Sequence, residues 1–159
     1  MIICNHCIDK TDIGKEIKLI FYDKEKMVKL DESRKIYYNK EYNITLIEMK
    51  ENEFDNDDYL SIDEQIYKGN ETKYKKLFTN KPIYIISFPQ GSQDIKEGDI
   101  ITIEKNNIFH NCKTTLGSGG APIINSDNCK VLGIHSERNI ETNEGIGYIF
   151  PNFINKKVF

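Results

Sequence analysis

Residues 116–125 read Leu-Gly-Ser-Gly-Gly-Ala-Pro-Ile-Ile-Asn, a serine between glycines followed by a short apolar run. Glycines allow a turn sharp enough to expose a hydroxyl group, and they leave the neighbouring backbone N–H groups able to bind an oxyanion. The same residues also describe an ordinary tight turn. This stretch therefore indicates either a loop that presents a serine nucleophile or a purely structural turn.

Three other segments accompany this loop in a fixed order along the chain. His6 follows an apolar start in Ile2-Ile3-Cys4-Asn5-His6-Cys7-Ile8. A short strand pattern follows at 43–47, Asn-Ile-Thr-Leu-Ile, and another follows the serine loop at 131–136, Val-Leu-Gly-Ile-His-Ser. The four segments follow one another as histidine, strand, serine loop and strand. This order indicates more about the fold than any one segment does alone.

In these four segments the chain resembles chymotrypsin-type (trypsin-like) serine proteases, and small intracellular members of that clan in particular. The resemblance runs from residue 2 to about residue 151. It implies an all-β fold of two antiparallel six-stranded Greek-key barrels. It also implies that His6 is the general base, that Asn43 stands where the family has its triad aspartate, and that Gly117 and Gly119 form the oxyanion hole.

The resemblance further implies a specificity pocket made by His135, Ser136 and Gly147. In glutamyl endopeptidases of the clan, a histidine at the position of His135 receives an acidic side chain. The resemblance thus implies a preference for Glu or Asp in the bound peptide, which would lie in a groove between the barrels. A histidine of the barrel bonded to backbone is the competing interpretation of His135.

The departures from the family pattern concern the residues that perform the chemistry. Counting back from Pro122, Gly119 occupies the nucleophile position and Ser118 lies one residue early. An amide in place of the triad carboxylate holds the histidine in the wrong tautomer, which lowers turnover by about 10⁴ in trypsin-type enzymes. These departures predict an impaired or inactive protease that keeps a peptide-binding groove. The alternative is an active endopeptidase that uses Ser118 with His6.

Short apolar runs separated by turn residues predict strands at 1–4, 15–22, 26–30, 35–38, 43–49, 82–88, 99–104, 107–113, 121–125, 130–135 and 145–150. We expect an N-terminal barrel over 1–66, a polar connection over 67–81 and a C-terminal barrel over 82–159. Because His6 lies so close to Met1, we expect the first barrel to lack its first strand or two.

Composition limits the classes of partner. The 22 basic and 25 acidic residues give a formal net charge of -3, which offers no electrostatic case for nucleic acid. No apolar run reaches the length of a signal peptide core or a membrane span, so a cytoplasmic protein with no membrane partner is expected. The motifs require no cofactor, and they do not predict an oligomeric state.

Zinc binding is a rival hypothesis for the N-terminal segment. Cys4 and Cys7 have the C-x₂-C spacing of zinc ligands, and further ligands could come from His110, Cys112 or Cys129. The sequence has no second matching pair of ligands. Reduced, buried thiols are the competing interpretation of the four cysteines.

Overall fold

The computed structural model describes residues 1–21, 24–50, 53 and 59–150. Within these residues the chain forms eleven strands and one α-helix, α1 (Glu71–Phe78). The strands are β1 (Ile2–Cys4), β2 (Glu16–Phe21), β3 (Lys24–Lys29), β4 (Ile36–Asn39), β5 (Ile44–Ile47), β6 (Pro82–Ser87), β7 (Asp94–Glu104), β8 (Asn107–His110), β9 (Pro122–Asn125), β10 (Lys130–Arg138) and β11 (Gly145–Ile149). The prediction of an all-β fold is confirmed.

The chain divides into two compact units, Met1–Asn56 and Asp57–Phe159. The C-terminal unit contains a closed barrel with the strand order β6-β7-β8-β11-β10-β9, in which all neighbours are antiparallel. The prediction of a six-stranded barrel is therefore confirmed for this unit. Its core consists mainly of eight isoleucines and one leucine that are at most 2% exposed: Ile83, Ile85, Ile100, Ile103, Ile108, Ile123, Leu132, Ile134 and Ile149.

Residues 111–121 connect β8 to β9, and these two strands are not neighbours in the barrel. The connection must therefore cross one end of the barrel, as in a Greek key. It contains all the glycines of the serine loop. The topology thus places the loop that the sequence singled out at the end of a rigid barrel, where loops commonly carry functional groups.

The described strands of the N-terminal unit form open sheets. One sheet has the order β1-β5-β4, and β2 pairs with β3 in a separate hairpin. The prediction of a second six-stranded barrel is not confirmed, because these five strands leave sheet edges that no further described strand closes. The core of this unit is a cluster of Ile8, Leu30 and Ile47 with partly buried apolar side chains around it.

A buried ion pair also holds the N-terminal unit together. Arg34, whose side chain is 3% exposed, binds Glu53 through two parallel contacts, Nη1 to Oε2 at 2.7 Å and Nη2 to Oε1 at 2.5 Å. The hydrogen bonds from Arg34 lower the pKa of Glu53 from 4.5 to about 2. Two-pronged pairing of this kind is the strongest geometry available to a guanidinium and a carboxylate.

Residues 59–66, which the sequence assigned to the end of the N-terminal barrel, pack against the C-terminal barrel. Ile62 forms a parallel bridge with Val131, and the buried carboxylate of Asp63 accepts a hydrogen bond from Asn128 at 2.9 Å. Helix α1 follows, capped by Asn70, and buries Tyr74 and Phe78. No helix in the described part of the chain is long and apolar enough to cross a membrane.

Candidate functional site

His6 and Asn43 are brought together by strand pairing in the N-terminal unit. Antiparallel pairing of β1 with β5 places Cys4 opposite Ile44, so the residues after β1 meet the residue before β5. The N–H of Asn5 donates to the carbonyl of Asn43 at 2.9 Å, which continues the ladder by one bond. The register of two short strands therefore positions both side chains.

The side-chain amide of Asn43 makes three contacts with His6. Oδ1 accepts the backbone N–H of His6 at 3.1 Å, and Nδ2 lies 2.9 Å from Nδ1 of the imidazole. Because the backbone N–H is an obligatory donor, it fixes which end of the amide is the oxygen. Oδ1 also lies 3.3 Å from Nδ1 of the ring, but Nδ2 is the nearer atom, so we assign Nδ2 as the donor to Nδ1 and the proton of neutral His6 to Nε2.

This tautomer is unfavourable for a general base. In a Ser-His-Asp triad Nε2 must be unprotonated to take the proton of the nucleophile, and the carboxylate ensures this by accepting Nδ1–H. Asn43 presents a donor where that mechanism needs an acceptor. The geometry of a triad pair is therefore present with its hydrogen bond reversed.

The backbone at Asn43 is in the left-handed region, with φ of +46°. Asparagine and aspartate both tolerate this conformation because their short polar side chains bond locally. The backbone therefore does not explain why an amide rather than a carboxylate occupies this position. An aspartate could stand here without strain.

The serine loop consists of two consecutive tight turns. Ser118 N–H donates to Thr115 carbonyl at 3.2 Å, and Ala121 N–H donates to Ser118 carbonyl at 3.1 Å. The third residue of each turn is a glycine with positive φ, +94° at Gly117 and +88° at Gly120. Such turns need glycine there because a Cβ would be strained.

Ser118 is 2% exposed, and its hydroxyl points into the C-terminal unit. Its Oγ lies 3.1 Å from Oγ of Ser87, which in turn donates to the carbonyl of Asp94 at 3.4 Å. Ser87 lies on the inward face of β6 together with Ile83 and Ile85. The structure thus holds the serine hydroxyl in a structural contact at the end of the barrel.

Asp94 anchors the start of the loop through its side chain. Its carboxylate accepts from Thr115 Oγ1 at 2.9 Å and pairs with Lys96 Nζ at 2.8 Å. The hydrogen bond from Lys96, followed by that from Thr115, lowers the pKa of Asp94. No sequence pattern indicates this anchor, because Asp94 precedes the segment predicted as a strand.

The predicted oxyanion-hole residues are accessible: Gly117 is exposed and Gly119 is partly exposed. Among the described residues, no hydrogen-bond partner is found for the N–H of either glycine, whereas the N–H groups of Ser118, Gly120 and Ala121 are all bonded. Gly119, at the position that the sequence resemblance assigns to the nucleophile, offers no reactive atom. The loop therefore presents backbone donors without a nucleophile.

His135 is 2% exposed and clamps this loop to β10 through its backbone. Its carbonyl accepts from Gly120 N–H at 2.8 Å, and its N–H donates to Ala121 carbonyl at 2.8 Å. The serine loop and the predicted specificity histidine are thus neighbours within one unit. Ser136, also buried, lies at an irregularity in the pairing of β10 with β11.

His110 on β8 is the partner of His135 that sequence reasoning missed. Its Nε2 lies 3.1 Å from Nδ1 of His135, and the rings meet edge to face. Burial lowers the pKa of His110 to about 3 and that of His135 to about 4. Strand alternation alone could have flagged His110 as an inward-facing residue, but the sequence suggested it only as a zinc ligand.

The other ring nitrogen of His110 decides the tautomers of the pair. Nδ1 of His110 is buried and has no hydrogen-bond partner among the described residues. A buried N–H without an acceptor costs more than a lone pair without a donor, so we place the proton of His110 on Nε2. His110 then donates to His135, which keeps its own proton on Nε2.

Two glycines of β11 are required for packing. A Cβ on Gly147, a predicted pocket residue, would lie 2.3 Å from Cδ1 of Ile123 and 2.6 Å from the carbonyl oxygen of Ile134. A Cβ on Gly145 would lie 2.0 Å from Cε1 of His110. Both glycines therefore allow close contact inside the barrel.

The cysteines of the zinc hypothesis differ in environment. Cys4 and Cys112 are buried, while Cys7 and Cys129 are exposed. Burial raises the pKa of Cys112 to about 12, which disfavours the thiolate that binds metals. No group of three or more potential metal ligands occurs in the part of the chain that the structure describes. Zinc binding stays a prediction, which metal analysis of the purified protein can test.

Neither a scan against protein-family models nor a search of curated proteins gives a match. The structure is nevertheless similar to solved protease structures. The serine protease of a human pathogenic astrovirus matches with a TM-score of 0.64 and 13% identity, over 94% of this chain and 76% of that one. Tobacco etch virus protease complexed with product matches with a TM-score of 0.65 and 13% identity, over 98% and 66% of the two chains.

A serine endoprotease from Yersinia pestis matches with a TM-score of 0.65 and 15% identity, over 99% of this chain and 51% of that one. The chain therefore spans about half to three quarters of the length of these proteases. Identities this low establish the fold and leave the activity open. The resemblance seen in the sequence is confirmed at that level: the chain has the fold of the trypsin-like proteases.

Proposed function

We propose that this protein is a peptide-binding domain with a protease fold that does not hydrolyse peptides by the Ser-His-Asp mechanism. The observation that carries the proposal is the serine loop. Its predicted nucleophile position is Gly119, and the hydroxyl of Ser118, one residue earlier, is buried against Ser87. A misplacement of even about 1 Å can cost a factor of about 100 in rate, so a buried hydroxyl one residue away is a poor nucleophile.

The contact between His6 and Asn43 supports the same proposal. A histidine that is protonated on Nε2 cannot accept a proton there, and this arrangement costs about 10⁴ in turnover in a trypsin-type enzyme. By transition-state arithmetic this factor is roughly 5–6 kcal/mol of barrier. The displaced nucleophile would add its own penalty.

A peptide is the proposed partner because the protease fold and the loop donors suit an extended chain. Backbone N–H groups with no hydrogen-bond partner among the described residues, such as those of Gly117 and Gly119, can bind carbonyl oxygens. We propose that His135 favours peptides with Glu or Asp, as the motif resemblance implies. Replacing His135 with Val should remove this preference, and binding that is indifferent to the change would refute it.

An active endopeptidase that uses Ser118 with His6 is the alternative. The N–H groups of Gly117 and Gly119, which have no hydrogen-bond partner within the described part of the chain, favour it, because an oxyanion hole would still act without an ideal nucleophile. It requires Ser118 to leave Ser87 and expose its hydroxyl. It also requires His6 to adopt the other tautomer.

Intact-mass analysis after incubation with a fluorophosphonate probe separates the two functions. We expect no mass increase for the folded protein, and the same result for Ser118→Ala. Trypsin in a parallel reaction shows that the probe is active, and circular dichroism shows that both chains are folded. Labelling that disappears in Ser118→Ala would establish the active enzyme and overturn the proposal.

A further inference from the structure

Residues 4–7, Cys-Asn-His-Cys, form a single tight turn at the end of β1. The carbonyl of Cys4 accepts the N–H of Cys7 at 3.0 Å and the N–H of Ile8 at 3.3 Å. A turn closed in this way brings the Cα atoms of its first and fourth residues to within about 7 Å. The Cα atoms of disulfides are usually about 4.4–6.8 Å apart, so the turn holds the two cysteines within range of a disulfide.

The buried hydroxyl of Thr45 fixes both ends of this turn. Its Oγ1 accepts from Nδ2 of Asn5 at 2.9 Å and donates to the carbonyl of Ile8 at 2.7 Å. Cys4 is itself paired opposite Ile44 in the sheet. Closing a disulfide therefore requires rotation of two side chains and little movement of the backbone. The backbone entropy is lost on folding and not on bond formation, which favours the disulfide in the folded chain.

The two thiols of the turn differ in accessibility. Cys7 is exposed, whereas Cys4 is 0% exposed. A molecule of the size of glutathione disulfide can therefore reach Cys7 and not Cys4. Dithiol exchange requires one thiol that attacks an external disulfide and a second, nearby thiol that resolves the mixed disulfide. Cys7 and Cys4 meet these two requirements in that order.

A disulfide also fits the pair better than a metal ion does. A structural zinc site takes four ligands, whereas a disulfide takes two cysteines. Within the described ranges of the chain, no group of three or more potential metal ligands occurs.

We propose that Cys4 and Cys7 form a reversible disulfide by exchange with small disulfides of the glutathione class. The thiolate of Cys7 attacks one sulfur of the oxidant, whose S–S bond breaks and releases one glutathione thiolate. Cys4 loses its proton to water and attacks Sγ of Cys7, which releases the second glutathione. Two protein thiols are thus oxidised, and one glutathione disulfide is reduced to two thiols. The new bond closes a ring around Asn5 and His6, so oxidation acts on the turn that carries the histidine of the candidate site.

The test compares the folded protein with the same protein unfolded in urea. Both are equilibrated at constant glutathione and increasing glutathione disulfide. The pH is mildly alkaline, because burial raises the pKa of the Cys7 thiol. Excess N-ethylmaleimide in urea then stops the exchange and alkylates the remaining thiols. Trypsin releases residues 1–10 as one peptide, which contains Cys4 and Cys7 and neither of the other two cysteines.

Mass spectrometry of this peptide distinguishes the alkylated dithiol, the glutathione mixed disulfide and the internal disulfide. We expect the folded protein to be half converted to the internal disulfide at a glutathione disulfide concentration about tenfold lower than the unfolded protein needs. This comparison requires no variant.

Two serine variants test the order of attack. In Cys7→Ser we expect Cys4 to remain a thiol without bound glutathione as long as the protein is folded. The matched control is Cys129→Ser, which replaces an exposed cysteine of the other unit and should still form the internal disulfide. Thermal unfolding shows which variants are folded.

Each outcome bears directly on the proposal. An internal disulfide that forms more readily in the folded than in the unfolded protein, and that Cys129→Ser keeps, supports it. Folded protein that carries glutathione on Cys7 without closing the bond overturns it, as does a disulfide that forms no more readily than in urea. Glutathione on Cys4 of folded Cys7→Ser overturns the assigned order of attack. None of these results depends on peptide binding, so the proposed function stands or falls separately.

Discussion

The amide of Asn43 donates from Nδ2 to Nδ1 of His6 at 2.9 Å, and its oxygen accepts the backbone N–H of the same histidine at 3.1 Å. The second contact determines the orientation of the amide group. Without the second contact, a 180° rotation of the amide group could place its oxygen where Nδ2 now lies. With it, rotation would leave the backbone N–H of His6 facing another N–H group, so Nδ2 stays the amide atom nearer to Nδ1, at 2.9 Å against 3.3 Å for Oδ1.

The first prediction concerns the tautomer of His6. In two-bond ¹H–¹⁵N spectra of the unmodified protein at alkaline pH, we expect the ring of His6 to carry its proton on Nε2. In Asn43→Asp the carboxylate accepts Nδ1–H, so we expect the Nδ1–H form. The left-handed φ of Asn43 suits aspartate as well, so the exchange should leave the backbone unchanged.

The rings of His110 and His135 provide the internal reference for this measurement. They are buried together in the C-terminal unit, and their signals should be the same in both proteins. A proton on Nδ1 of His6 in the unmodified protein would contradict the assigned donation from Nδ2 of Asn43 to the ring. It would also remove one of the two arguments against hydrolysis.

The second prediction is that two substitutions restore a reactive serine. Gly119→Ser supplies the hydroxyl at the family's nucleophile position, and Asn43→Asp reverses the hydrogen bond to His6. We expect the double variant to be labelled once by a fluorophosphonate probe. Gly119→Ser alone should react more slowly by up to about 10⁴, because its histidine is in the wrong tautomer.

Gly119→Ala combined with Asn43→Asp is the matched control, since it adds a Cβ without a hydroxyl. Gly119, in contrast to Gly117 and Gly120, does not have a positive φ, so a side chain there is compatible with the backbone. A folded double variant with serine that remains unlabelled would show that His6 and residue 119 do not act on one another. The prediction that His6 and residue 119 occupy positions of one catalytic site, which the sequence resemblance implies, would then fail.

Strand positions were the part of the structure that the sequence predicted well. Each described strand overlaps a predicted one, because isoleucine-rich runs between turn residues carry a strong signal. Strand β7 begins at Asp94, earlier than the predicted residue 99. The prediction began late because the first half of the strand alternates partly buried and exposed residues and has no buried apolar face. The sequence does not predict helix α1, because its apolar signal is weak. Most of its residues are charged or polar, and its buried residues are Tyr74 and Phe78, which lie four residues apart.

Side-chain orientation could not be predicted from the sequence. The motif identified Ser118 and Gly119 but could not show that the serine hydroxyl turns inward, since this depends on Ser87 across the barrel. Likewise His135 was identified without His110, because their contact depends on which strands are neighbours in the closed barrel. Contacts between distant strands leave no pattern in a single sequence.

The third prediction concerns the space beside His110. A Cβ on Gly145 would lie 2.0 Å from Cε1 and 2.4 Å from Nε2 of this buried ring. We expect Gly145→Ala to lower the free energy of unfolding by about 1–3 kcal/mol, the usual cost of overpacking. Urea unfolding measures this change.

Two further variants identify the cause. Gly91→Ala has φ of +81° with no atom within 4 Å of its Cβ, so it reports the cost of backbone strain alone. His110→Ala combined with Gly145→Ala removes the ring that the new methyl group meets. The double variant should lose less stability than the sum of the two single variants, and strict additivity would show that the clash with His110 is not the cause.

The fourth prediction is a loss of stability in mild acid caused by the two buried histidines. Burial lowers the pKa of His110 from 6.5 to about 3 and that of His135 from 6.5 to about 4. As the pH falls below about 6.5, the unfolded chain takes up protons that the folded chain cannot bind. The contribution of the pair is therefore complete above about pH 6.5 and is lost as the pH falls toward 4.

Urea unfolding at pH 7, 6, 5 and 4.5 measures this slope, which we expect to approach about 1.4 kcal/mol per pH unit for each histidine. His110→Leu should reduce the slope by roughly half, since only one group then resists protonation. The ion pair of Arg34 and Glu53 does not contribute to this slope. The hydrogen bonds from Arg34 hold the pKa of Glu53 at about 2 instead of 4.5, so the stabilisation by the pair is complete above pH 4.5 and is lost below it. A slope that His110→Leu leaves unchanged would mean that His110 is not held neutral by burial, and the tautomers assigned to the pair would have to be abandoned.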